Sequence, residues 1–155
     1  MKATAGFSII EIIVACAIFL GTISAFVTAS EILRDMGAHA EDKTHAALLL
    51  EEGAEAILLL RDLDWTGNLA GLTLESPYSL SWDGTSYALT AGDVLIGGGY
   101  YRRVTFFEVY RDAQGAYAAS GTVDPDTLRA EIEILRVADG EVIASAAMLV
   151  HNSYE

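Results

Sequence analysis

The sequence has few of the residues on which several classes of protein depend. It contains one cysteine, so an internal disulfide, a cysteine-based zinc cluster and an iron–sulfur site are excluded. It contains 9 Lys+Arg against 22 Asp+Glu, which leaves no basic surface for nucleic acid. Its hydrophobic fraction of 52% is too high for a disordered chain. These counts leave one globular domain within 155 residues, with at most one appendage.

Hydrophobicity and acidity coexist in this chain because they occupy different parts of it. The mean hydropathy is +0.35, although the formal net charge is −13. Residues 7–30 include 17 apolar side chains and a single charge, Glu11, whereas all the excess of acids over bases lies after residue 30. A helix of about 20 apolar residues crosses the hydrocarbon core of a bilayer, so residues 7–29 are predicted to span a membrane. Lys2 places the N-terminus on the cytoplasmic side.

Two common kinds of N-terminal signal fit this segment less well than a membrane span does. A secretory signal peptide would use the small residues at Val27-Thr28-Ala29, but its apolar part is usually only about 7–15 residues long. A lipoprotein signal would use Ile13-Val14-Ala15-Cys16, but the chain stays apolar as far as Ala29. We therefore interpret Cys16 as a small apolar residue of a membrane helix.

Glu11 is the residue that these two alternatives leave unexplained. A carboxylate inside an apolar span costs a few kcal/mol, about 2.5–3.5 on insertion scales, unless a cation pairs with it. The span contains no Lys or Arg. Cleavage after Gly6 would create an α-amine on Phe7, at the depth of Glu11, in the same chain or in a neighbouring one. The sequence thus suggests processing followed by pairing of Glu11 with the Phe7 amine.

The residues around this site carry a family resemblance. The run Gly6-Phe7-Ser8-Ile9-Ile10-Glu11, followed by about 20 apolar residues, resembles the N-terminal signal of type IV pilins and type II secretion pseudopilins. The resemblance implies that a prepilin peptidase cuts after Gly6 and N-methylates Phe7, and that Glu11 promotes docking of the subunit into a filament. Major pilins often have a proline where this chain has Thr28, and many have a C-terminal disulfide. Both differences favour a minor pilin or pseudopilin.

The resemblance also implies a location and a set of partners. The subunit would start as a single-pass protein of the inner membrane and move to the cell surface in a pilus or pseudopilus. Its partners would be other pilin or pseudopilin subunits, the prepilin peptidase and an inner-membrane assembly platform, with no cofactor and no nucleic acid. Pili, secretion pseudopili and DNA-uptake systems share this signal, so the motif does not distinguish them. The alternative is a membrane-anchored extracytoplasmic binding domain that does not polymerise.

The rest of the chain predicts an α+β fold in which one long helix packs on an antiparallel sheet. We expect a leader at 1–6, a membrane or filament-core helix at 7–29, its amphipathic continuation at 30–65 and a β-sheet head at 66–155. Apolar positions in the continuation recur at helical spacing, and they are Met36, Ala40, Ala47, Leu50, Ala54, Ile57 and Leu58. Gly37 and Gly53 are expected to permit bends. About five strands follow, with two-residue hairpin turns at Asp83-Gly84 and Asp139-Gly140 and the longest strand at 100–110.

No group of residues in the head predicts catalysis, and the candidate binding residues have simpler explanations. Glu51, Glu52 and Glu55 are typical of a solvated helix face. The run Asp124-Pro125-Asp126-Thr127 is more typical of a turn than of a calcium loop. His39 and His45 lie six residues apart, on different helix faces, and His151 is isolated, which does not suit a metal site. Tyr100-Tyr101-Arg102-Arg103 combines aromatic and basic residues, but strand alternation is expected to bury a neighbour of one arginine rather than expose a patch.

Overall fold

The computed structural model describes residues 8–153 and confirms the α+β class, with one long N-terminal helix followed by an antiparallel sheet. The helix α1 runs Ile9–Leu63 and continues through both Gly37 and Gly53. The chain divides after Glu41 into two compact units. The first contains the apolar part of α1, and the second contains the rest of α1 together with the sheet.

A short π-helical turn, Thr66–Ala70, follows α1 and leads into the sheet. The seven strands are β1 (Pro77–Trp82), β2 (Tyr87–Ala91), β3 (Leu95–Ile96), β4 (Tyr100–Arg111), β5 (Tyr117–Ala118), β6 (Thr122–Arg136) and β7 (Val142–His151). The order across the sheet is β2-β1-β4-β6-β7, and the two-residue strands β3 and β5 both pair with β4. All the pairings are antiparallel. The expectation of about five strands therefore describes the main path, to which two short strands are added.

The sequence placed the longest strand incorrectly. The longest strand is β6, with 15 residues against 12 in β4, and it begins at Thr122. The segment Asp124–Thr127, which the sequence predicted as a turn, therefore lies inside β6 despite Pro125. The hairpin at Asp83-Gly84 is also longer than predicted, because Asp83 accepts hydrogen bonds from the amides of Thr85 and Ser86 and strand pairing resumes only at Tyr87.

The helix face that packs on the sheet differs from the predicted one. The fully buried positions of α1 are Ala46, Gly53, Ala56, Ile57 and Leu60. Of the predicted set, Ile57 is buried and Leu50 and Ala54 pack at the edge of the core, whereas Met36, Ala40 and Ala47 are exposed. The buried face thus includes Gly53, which an apolar periodicity does not count, and it excludes Met36 and Ala40, which lie before the part of α1 that packs on the sheet.

The core lies between the second part of α1 and one face of the sheet. Alternating positions of β4 and β6 supply its centre, and they are Val104, Phe106, Ala130 and Ile132. Trp65 and Leu69 close the core at the end of the helix. Fully burying a side chain such as Phe106 or Ile132 stabilises the fold by about 1.5–3 kcal/mol. This core holds the head together without a disulfide.

Candidate assembly helix and the residues of the head

The first part of α1 presents apolar side chains in every direction. By length and composition this helix can span a membrane, and its most apolar stretch contributes nothing to the core of the described structure. Large exposed side chains include Ile9, Ile10, Ile13, Ile18, Phe19, Leu20, Phe26 and Val27. A helix that is apolar all round needs an apolar environment, which lipid or neighbouring helices supply.

The hydroxyl residues of this segment are compatible with such an environment. Thr22 donates to the carbonyl of Phe19 at 2.7 Å, and Thr28 donates to that of Ser24 at 3.1 Å. The hydroxyl hydrogens of Thr22 and Thr28 thus have partners within the helix, which lowers the cost of placing them in an apolar medium. The helix α1 continues through Thr28 without interruption.

Glu11 lies in the first turn of α1 and is the only charged side chain among residues 8–30. Its carboxylate accepts a hydrogen bond from the amide of Ser8 at 3.2 Å, and its own amide donates to the carbonyl of Ser8 at 3.0 Å. A carboxylate at this position also interacts favourably with the positive end of the helix dipole. Within residues 8–153, Glu11 forms no ion pair.

The other processing residues are not part of the described structure. Gly6 and Phe7 lie outside residues 8–153, so cleavage after Gly6, methylation of Phe7 and pairing of the new amine with Glu11 stay predictions. Cys16 lies within α1, exposed and unpaired among the described residues, as expected for a small residue on a helix surface.

Arg102 is buried in the head, which the sequence did not predict. The sequence predicted burial only of a residue next to one of the two arginines. The side chain points inward from β4, is 2% exposed, and donates to the carbonyl of Leu49 at 3.0 Å and to Glu52 Oε1 at 3.2 Å. Its Nε has no hydrogen-bond partner in the described structure. Arg103 points to the other face and pairs with Asp93. The two arginines therefore do not form a basic patch.

Gly53 makes room for Arg102. A Cβ added at Gly53 would lie 2.8 Å from Arg102 Cδ, closer than real contacts of this kind. The sequence suggested a weak point in the helix at Gly53, and the structure shows a contact site instead. Glu52, expected to be simply solvated, also receives a hydrogen bond from the Tyr87 hydroxyl at 2.9 Å. The contact between Gly53 and Arg102 could not be predicted from the sequence, because the two residues lie far apart in the chain.

The carboxylate of Asp124 accepts its hydrogen bonds from other groups of the protein. Its side chain is 8% exposed, accepts a hydrogen bond from Arg111 Nε at 2.7 Å and accepts another from the Asp126 amide. Burial by itself raises the pKa of Asp124, but hydrogen bonds from Thr127 and Arg111 hold this pKa below its ordinary value. Among residues 8–153, no three His, Cys, Asp or Glu side chains come close enough to hold a metal ion.

We expect Arg111→Gln to destabilise the head at pH 7 by more than the loss of an exposed ion pair does, because it leaves the carboxylate of Asp124, whose side chain is largely covered, without its cation. Since the folded-state pKa of Asp124 is lowered, its contribution is present above the ordinary value of 3.8 and disappears as the pH falls through the folded-state pKa. The wild type and Arg111→Gln should be compared by thermal unfolding from pH 7 to pH 3. The difference between their melting temperatures should shrink below about pH 4.

Arg129→Gln is the matched control for this experiment. Arg129 pairs with Glu131 at the surface, where both side chains are about 40% exposed, so its loss should cost at most about 1 kcal/mol. Equal effects of the two substitutions, or a difference independent of pH, would contradict the role assigned to Asp124.

His45 and His151 contact different parts of the head, and His39 lies exposed on α1. The His45 ring contacts the Tyr100 ring at a centroid distance of 5.3 Å, close to the turn at Gly98. His151 Nδ1 lies 2.9 Å from the Thr127 hydroxyl.

Comparison of the chain with family models, with curated proteins and with solved structures returns no match.

Proposed function

We propose that this chain is a non-enzymatic structural subunit of a type IV filament, a minor pilin or a pseudopilin, which a prepilin peptidase processes and which assembles through α1. One observation carries the proposal. Glu11 is the only charge at the start of an otherwise apolar, fully exposed helix segment, and it has no cationic partner among residues 8–153.

The surroundings of α1 explain why assembly follows from this arrangement. Lipid covers apolar side chains as well as protein does, so apolarity alone does not drive helices together. A carboxylate in lipid costs a few kcal/mol, about 2.5–3.5 on insertion scales, whereas a carboxylate paired with an ammonium group avoids most of that cost. The Phe7 amine of a neighbouring processed chain would supply that ammonium group. Glu11 thus favours a helix bundle over isolated helices.

The head suits the extracytoplasmic end of such a subunit. Residues 66–155 carry twelve acids and five bases, which keeps the head soluble. Before assembly the chain would sit in the inner membrane with its N-terminus inside. Afterwards the head would lie at the surface of a pilus or pseudopilus.

Mass spectrometry of the chain purified from cells that contain a prepilin peptidase tests the processing step. We expect a mature protein that begins at N-methyl-Phe7, because the peptidase cuts after the glycine of the motif. Gly6→Val should leave the chain uncut, while Ala3→Val, in the same leader, should be cut normally. A mature chain that begins at Met1 or at Ser30 would reject the proposal and would favour a simple anchor or a secretory signal, respectively.

A further inference from the structure

A cleft of about 390 Å³ opens on the head, where β4, β6 and β7 lie side by side. Phe107, Arg129 and Leu149 form one row of the antiparallel pairing across these strands, and all three line the cleft. Their neighbours along the strands belong to the core, so strand alternation places this row on the face of the sheet opposite α1. The lining also includes Glu75, Glu108, Tyr110 and Tyr117.

Two irregularities of the backbone meet at this cleft. The β4–β6 pairing shifts its register between Glu108 and Tyr110. Glu75 has a φ of +59°, the only positive φ outside glycine among residues 8–153, and such a conformation strains a residue that has a side chain. A hydrogen bond of 2.8 Å from the Glu75 amide to the carbonyl of Phe106 holds it against β4. Bulges and strained residues are both concentrated at functional sites.

Aromatic rings in the cleft are fixed on one side and open on the other. The guanidinium of Arg111 lies 4.5 Å from the centre of the Tyr117 ring, and that of Arg129 lies 4.3 Å from the centre of the Phe107 ring. Tyr117 is nevertheless 52% exposed. The open face of such a ring is weakly negative and attracts the weakly positive C–H groups of a ligand.

The polar groups of the cleft include both acceptors and donors. The exposed carboxylate of Glu75 accepts no hydrogen bond from residues 8–153. Glu108 Oε2 accepts one from the Tyr110 hydroxyl at 2.7 Å, which leaves its second oxygen as an acceptor. Arg129 pairs with Glu131 through one nitrogen, and its guanidinium has further N–H donors.

This combination selects the chemical class of the ligand. A pyranose sugar presents C–H groups that can stack on an aromatic ring, and hydroxyl groups that both donate and accept hydrogen bonds. The carboxylates of Glu75 and Glu108 disfavour an anion, while the guanidinium of Arg129 disfavours a cation. The volume of the cleft lies in the range of small-molecule sites, about 300–1,000 Å³.

We propose that this cleft binds a neutral pyranose sugar, which stacks on Tyr117 and forms hydrogen bonds with Glu75 and Arg129. Every residue that lines it belongs to the second unit. Sugar binding therefore needs neither processing of the N-terminus nor Glu11, and the head would carry this function whether or not the chain assembles.

A second depression on the same face has room for a further sugar ring. It is lined by Glu131, Glu133, Ser145 and Ala147. The pair Glu131↔Ala147 is the next row on this face after Arg129↔Leu149, so the two depressions adjoin. Small side chains on β7 make this second depression, and a polysaccharide would use it while a free monosaccharide would not.

Saturation-transfer NMR and calorimetry with the full chain in lipid nanodiscs test sugar binding, since many detergents carry sugar headgroups. The probes are the methyl glycosides of glucose, galactose, mannose and N-acetylglucosamine. We expect saturable binding of at least one. Tyr117→Ala should weaken it about fivefold, and Tyr117→Phe should preserve it, because the ring carries the contact. Trp82→Ala is the matched control, since Trp82 is also aromatic and 55% exposed but does not line the cleft.

Glu75→Gly separates binding from stability. It removes a hydrogen-bond acceptor and should weaken binding about tenfold. It also relieves the positive φ, so the melting temperature of the head should stay unchanged or rise.

A trisaccharide of the sugar that binds distinguishes the two sources of such a ligand. Tighter binding of the trisaccharide than of its methyl glycoside, lost in Ala147→Phe, supports a polysaccharide. Equal affinities support a free sugar.

Three results would overturn the assignment. One is that none of the four methyl glycosides binds. Another is an equal loss of affinity in Tyr117→Ala and Trp82→Ala, which would place the sugar elsewhere or show non-specific stacking. The third is tighter binding of glucuronate or of tetramethylammonium than of every neutral glycoside, which would show that the cleft selects an anion or a cation.

Discussion

Replacing Glu11 by alanine should reduce the amount of this subunit in sheared filaments by about a hundredfold while leaving its amount in the membrane unchanged or higher. The substitution removes the only charge among residues 8–30, the apolar part of α1, which favours insertion in lipid. It also leaves the Phe7 amine of the neighbouring subunit without a partner in the bundle, which costs about 3 kcal/mol or more. Quantitative immunoblots of the sheared and membrane fractions measure both effects.

Two further variants separate the charge from other properties of Glu11. Glu11→Gln keeps the shape of the side chain and should fail to assemble as Glu11→Ala does. Glu31→Ala removes the next acid along α1, beyond the uncharged stretch, and should assemble normally. If none of the three chains reaches the filament fraction and the wild type does not either, the chain is a membrane anchor and not a filament subunit. Normal assembly of Glu11→Ala would show that docking does not use this carboxylate.

Replacing Gly53 by valine should destabilise the head by about 2–3 kcal/mol, the largest loss that we expect from a single small residue. The added side chain would overlap Arg102 Cδ, which lies 2.8 Å from the position of a Cβ. Arg102 cannot move away easily, since it is buried and holds Leu49 and Glu52 of the helix. Gly53→Ala should cause a smaller loss, because better helix propensity offsets part of the overlap.

Denaturant unfolding followed by tryptophan fluorescence measures this effect selectively. Both tryptophans, Trp65 and Trp82, belong to the second unit, so the signal reports the head and not the membrane segment. Gly71→Ala is the matched control, since nothing lies within 4 Å of a Cβ there, and it should be neutral or stabilise by up to about 1 kcal/mol.

A double variant tests the physical cause. If Gly53→Val acts by overlap with Arg102, then combining it with Arg102→Ala should cost at least about 1 kcal/mol less than the sum of the single substitutions. Strict additivity would show that the two residues do not compete for the same space.

Local patterns predicted the classes of secondary structure well. The absence of proline between Glu31 and Asp64 allowed one helix to be predicted up to Leu63, and alternation within 130–134 and the glycine turns predicted the sheet. The limits of elements were less predictable. Asp124 and Pro125 are common in turns, yet they lie in β6 because Arg111 on the neighbouring strand pairs with Asp124.

The sequence by itself determined the properties that depend on neighbours along the chain. The apolar segment, its single carboxylate at Glu11, the acidity of the remainder and the α+β class are all consequences of local composition and periodicity. These features carry the proposed function.

Only the tertiary structure decided which side chains from distant parts of the chain meet. Gly53 and Arg102 lie about fifty residues apart, and only the packing of α1 on β4 shows that one makes room for the other. Likewise, Glu75 and Tyr117 lie in the same cleft only because the folded sheet brings them together. Both features depend on contacts between segments far apart in the sequence, and such contacts are set by the packing of the whole fold rather than by local preference.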